Sequence, residues 1–65
     1  MQVSSPGFII KRIEIYASNG VKIQTTLLRS EEVTIDLSQY AAGIYFIRVL
    51  TGEGMISKKI MIQNK

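Results

Sequence analysis

The chain has 65 residues, a net charge of +3, and neither histidine nor cysteine. A single small domain is all that this length accommodates; no disulfide can brace it, and the usual zinc ligands and a Ser-His-Asp triad are both missing. The eight Lys and Arg residues are scattered singly or in pairs, without the concentrated basic stripe that nucleic-acid binding requires. The longest apolar run, Ala41 to Ile47, is too short to span a bilayer. Met1-Gln2-Val3-Ser4-Ser5 lacks the charged start and hydrophobic stretch of a signal peptide; if the protein is exported, another part of a longer precursor must carry the export signal.

In chain order, residues 1–8 read as a linker remnant or a truncated first strand, ahead of a sandwich over residues 9–65. Period-two alternation of Ile, Val, Thr, Tyr and Phe then predicts strands at Ile9–Ala17, Val21–Leu28, Val33–Leu37, Ile44–Leu50 and Met55–Gln63. Ile9 and Ile10 are consecutive, so a regular strand points them to opposite faces.

Parity decides the first turn. A two-residue Asn19-Gly20 turn would set Ile15 against Gln24, placing Ile13 and Ile15 on one face with Lys22, Gln24 and Thr26. A three-residue loop with Gly20 in a left-handed bulge sets Ala17 against Val21, Ile15 against Ile23 and Ile13 against Thr25. That register makes one face apolar and is the one expected.

After the variable connection, Asp36 is a turn former, Ser38 caps a single helical turn, and Gly43 ends it with positive φ. The last hairpin, turning through Gly52 and Glu53, sets Tyr45, Ile47 and Val49 on one face with Ile56, Ile60 and Ile62. Its other face combines Ile44, Phe46, Arg48 and Leu50 with Met55, Ser57, Lys59 and Met61, and is mixed enough to need a cover. The fold class is all-β: a small immunoglobulin-like antiparallel β-sandwich. Its expected interior is Ile13, Ile15, Ile23, Ile35, Leu37, Tyr45, Ile47, Val49, Ile56 and Ile60.

Reactive groups are sparse. Glu31-Glu32 are neighbours in a polar connection, clustered carboxylates for calcium are missing, and Gly52-Glu53-Gly54 sits in a hairpin and does not precede a helix. Tyr16 and Phe46 are too scattered for a sugar-stacking platform. No catalytic, cofactor or metal site is expected, and the chain is not read as an enzyme.

Three blocks occur in a telling order. Ile13–Ile23 reads IEIYASNGVKI, Ile35–Val49 reads IDLSQYAAGIYFIRV, and Lys58–Ile62 reads KKIMI near the end. This order resembles the C-terminal sorting domain, type A, of cargo for the type IX, or Por, secretion system of Gram-negative bacteria. The likeness covers roughly residues 9–63, and the middle block is its specific part. Two departures stand out: Val3-Ser4-Ser5-Pro6-Gly7-Phe8 replaces the usual Tyr-Pro-Asn-Pro-like start and further strand, and Gln63-Asn64-Lys65 runs past the usual last strand.

The resemblance implies an immunoglobulin-like sandwich with an N-terminal cargo domain ahead of it in a longer precursor. That precursor is exported to the periplasm, recognised by outer-membrane secretion and sortase machinery, and secreted or attached to the cell surface; a sortase-type peptidase removes the sandwich. Gly20, Asp36, Leu37, Ser38, Gly43, Tyr45 and Lys59 fall on the family's recurring positions. Asp36, Ser38, Gly43, Tyr45, Lys58, Lys59, Ile60 and Ile62 are the expected sorting-signal residues, with Lys59 and the terminal strand foremost. The competing expectation is an accessory immunoglobulin-like binding or adhesion module of a surface protein or glycosidase. A missing edge strand also leads us to expect a homodimer through an open sheet edge, with Phe8–Ile10 or the mixed face in its interface.

Overall fold

A computed structural model describes residues 1–63 of the chain; Asn64 and Lys65, expected to follow the last strand, lie outside the described residues. It holds six strands: β1 (Gln2–Ser4), β2 (Ile10–Ala17), β3 (Lys22–Ser30), β4 (Glu32–Thr34), β5 (Gly43–Thr51) and β6 (Gly54–Ile62). No helix occurs among the described residues. One antiparallel sheet runs β3-β2-β5-β6, and β1 and β4 form a second, two-stranded antiparallel sheet. The expected all-β sandwich is what the chain forms, with one sheet reduced to a clip.

The interior consists of Ile10, Ile13, Ile15, Ile35, Ile47 and Val49, and Val3, Leu28, Val33, Leu37, Tyr40, Tyr45 and Ile60 pack against it. Val3 and Val33 are directly opposed in the small sheet, so this short pair supplies apolar side chains from both of its strands.

Ile10, Ile13 and Ile15 are all fully buried, although simple alternation cannot put the first on one face with the other two. A bulge at Lys11 resolves this. Both neighbours of β2 shift register between Ile10 and Arg12, so one residue is skipped and Ile10 turns inward. Ile9 stays 40% exposed.

The first loop closes as expected, with Ala17 N–H donating to Val21 O, Gly20 N–H donating to Ala17 O, each at 2.9 Å, and Gly20 at φ +89°. The register beyond it does not. A second irregularity sets Tyr16 against Lys22 and Ile15 against Gln24, so Ile23 drops out of the pairing and is 46% exposed. The expected pairing of Ile15 with Ile23, and of Ile13 with Thr25, is therefore wrong; Thr26 opposes Ile13. The physical reason is local: β3 is an edge strand, and Gln24 on its inner side is satisfied by accepting a hydrogen bond from the Tyr40 hydroxyl.

The last hairpin matches its expected pairing throughout, from Thr51 opposite Gly54 to Gly43 opposite Ile62. Ile56 nevertheless departs from expectation. It lies on the inner face but is 51% exposed, because the two-stranded clip does not reach across β6.

Candidate recognition surface

The block from Ile35 to Val49 crosses from the small sheet to the large one through a turn held by side chains. The Asp36 carboxylate accepts from the Ser38 N–H at 2.9 Å and from the Ser38 hydroxyl at 2.6 Å. These two bonds, the hydroxyl's first, hold the Asp36 pKa below its ordinary value. Ser38 thus donates to Asp36 and does not cap a helical turn; Tyr40 N–H to Leu37 O, at 3.1 Å, closes a simple turn instead. Asp36 keeps its expected role as turn former.

Two tyrosines tie this turn to the sheet. The Tyr40 and Tyr45 rings stack with centroids 5.6 Å apart and planes 28° from parallel, and the Tyr45 hydroxyl donates to Ala41 O at 2.7 Å. Burial, then the neighbouring Tyr45 and Asp36, push the Tyr40 pKa up. Gly43 opens β5 at φ +155°, as expected a positive value.

Register then joins the turn to the end of the chain. Gly43 opposes Ile62 and Tyr45 opposes Ile60, so four of the eight expected sorting residues share one corner of the β5–β6 ladder. Asp36 and Ser38 lie in the same turn as Tyr40, whose ring stacks on Tyr45 of that corner. Lys58 and Lys59 are not brought together. Lys59 lies opposite Phe46 on the outer face, whereas Lys58 lies opposite the buried Ile47 on the inner face, and both are exposed.

The outer face carries Ile44, Phe46, Met55 and Met61 at 39% exposure or more, interleaved with Arg48 and Lys59. Arg48 places its guanidinium carbon 5.9 Å from the centre of the Tyr16 ring. Glu14 is only 8% exposed there, flanked by Arg12 and Lys22 at 3.7 Å each, and its carboxylate accepts from the Tyr16 hydroxyl at 3.1 Å. Sequence reasoning passed over Glu14, because its two cations converge only when β2 and β3 pair. It also passed over Lys58 as an inward residue, although Ile56, Lys58 and Ile60 share one parity that marks it. Among the described residues no group of three or more acidic side chains is arranged to hold a metal ion.

No curated protein and no solved structure matches the chain. A family model described as "Secretion system C-terminal sorting domain" matches residues 2–63, a span that includes all six strands.

Proposed function

The chain belongs to the family of secretion system C-terminal sorting domains, the sorting signals of type IX secretion, and on that premise we propose how it is read. It is a sorting tail: it marks a cargo precursor for export by the type IX machinery and delivery to the surface. The family is one of sorting signals and not of enzymes. In our reading the cargo lies N-terminal to the domain, residues 1–8 supply its first strand, β1, and the whole sandwich is the unit recognised. Outer-membrane machinery of a Gram-negative cell takes the precursor from the periplasm, and a sortase-type peptidase then removes the domain.

Within the domain we assign recognition to β6 and the corner it shares with the Asp36–Gly43 turn. The observation that supports this is that β6 is an edge strand whose Lys59 and Met61 stand exposed on the outer face. We also propose a homodimer at high concentration through an open sheet edge, with the mixed outer face in its interface; Ile10, expected there as well, is instead buried within the chain, and sedimentation would show the dimer as a mass rising with concentration.

The test is a periplasmically exported reporter fused ahead of residues 1–65 in a type IX-competent strain. The intact fusion reaches the surface, and removal of residues 58–65 abolishes its export. Lys59→Ala lowers export while unfolding stays within about 0.5 kcal/mol of the parent. Export at full rate after both changes would remove β6 from the recognised surface.

A further inference from the structure

Between β1 and the inner face of β5 and β6 lies an open groove of about 230 Å³. Its floor is Ile47, Val49, Ile56, Lys58 and Ile60, and Gln2 and Ser4 stand along its wall. Two independent features of this groove say what fits it.

The first is the backbone of β1. The Met1 amine donates to Ile35 O at 2.7 Å, Ile35 N–H returns a bond to Met1 O at 2.6 Å, and Ser5 N–H donates to Glu31 O at 2.8 Å. In an antiparallel ladder the bonding direction alternates residue by residue, so Met1, Val3 and Ser5 face β4. The N–H and C=O groups of Gln2 and Ser4 therefore point to the other side, where no strand pairs. An edge of this kind takes an extended segment.

The second is Lys58. It is the one charged side chain on an otherwise apolar floor, between Ile56 at 51% exposure and half-buried Ile60, and it makes no ion pair among the described residues. An inward lysine can serve merely to guard an edge strand against pairing. Here a free backbone edge lies across the same groove, which makes the lysine a specificity element for whatever pairs with that edge.

We propose that this groove is a strand-acceptor site. An extended segment adds to the free edge of β1 and lays an apolar–x–acidic–x–apolar pattern over Ile56, Lys58 and Ile60, its carboxylate meeting the Lys58 ammonium. The occupant is not a second copy of this chain. Around Glu14, Glu31, Glu32, Asp36 and Glu53, the residues two before and two after never form an apolar pair. Resting on the sorting reading above, the occupant is a strand of the export machinery that reads the domain.

The groove is tested on the purified 65-residue chain with three synthetic peptides, Thr-Val-Thr-Xaa-Thr-Val-Thr, in which Xaa is Glu, Gln or Lys. The Glu peptide binds roughly tenfold tighter than the Lys peptide at low salt, and binding slows hydrogen exchange at the Gln2 and Ser4 amides. Lys58→Glu reverses the preference and Lys58→Arg keeps it; the wild-type comparison of the three peptides stands even where a variant fails to fold. Equal affinity for the Glu and Lys peptides, or protection at the β3 or β6 edge instead of Gln2 and Ser4, overturns the proposal. Protection of Gln2 and Ser4 by raising the concentration of the chain alone overturns it as well, in favour of a second copy. The reporter fusion carries the export arm. Loss of export in Lys58→Glu supports the machinery as occupant, and undiminished export overturns that assignment. A wild-type fusion that is never exported defeats the sorting reading and leaves the peptide result to judge the groove.

Discussion

Ile13 and Ile23 are chemically the same and both sit in the first hairpin, yet one is 1% exposed and the other 46%. Ile13→Ala is expected to destabilise the domain by about 2–5 kcal/mol, whereas Ile23→Thr should change stability by less than about 0.5 kcal/mol. Urea unfolding of the two variants measures both. Asp36 offers a pH test. Its folded pKa lies below the ordinary carboxylate value because Ser38 donates to it twice. A group of this sign stabilises fully above its unfolded pKa and loses that contribution as pH falls through the folded value. Stability should therefore decline from about pH 4 downward, and Asp36→Asn should flatten that part of the profile. An unchanged acid limb in the Asn variant would show that the paired hydroxyl and amide do not govern it.

At the scale of elements, what the sequence revealed depended on whether a strand's partner was local. The β5–β6 hairpin was legible residue by residue, because a two-residue turn and strict alternation leave one register. The Asp36–Gly43 turn was legible as a turn but not in its bonding, since a serine ahead of a short connection can donate to a carboxylate as readily as cap a helix. β1 was legible only as one of two alternatives, a linker remnant or a truncated first strand: three residues carry too little alternation to decide, and its partner, Glu32–Thr34, lies far along the chain. The bulge in β2 left no mark, since Lys11 is an ordinary strand-surface residue and only Ile10's burial reveals the skip. Deleting Lys11 should remove the bulge and set Ile10 two positions before Ile13, still on the inner face. The expected cost is under about 1 kcal/mol, against about 2–5 kcal/mol for Ile10→Ala, and urea denaturation of the two variants would register the difference. A deletion as costly as Ile10→Ala would mean that Ile10 had lost its inward place.

For the molecule as a whole, the sandwich was legible as a class because no stretch holds the helical period. Its asymmetry was not legible, because the reach of one sheet over another is a property of placement. The same applies to the recognition surface: the middle block identified the family, while the separation of Lys58 from Lys59 across the sheet emerged only from register.

The clip formed by β1 and β4 also has a consequence for the order of assembly. The β2–β3 and β5–β6 hairpins close over short stretches of chain and join through β2 and β5, whereas β1 must find β4 across a loop of about thirty residues. Three residue pairs return little for closing that loop, so β1 should dock after the folding barrier has been crossed. Val33→Ala should accelerate unfolding and leave the refolding rate almost unchanged, while Ile47→Ala slows refolding. Stopped-flow chevrons of the two variants distinguish these limbs. If β1 docks last, the groove it borders stays open until then, and that delay sets the interval in which another strand can compete for the same place.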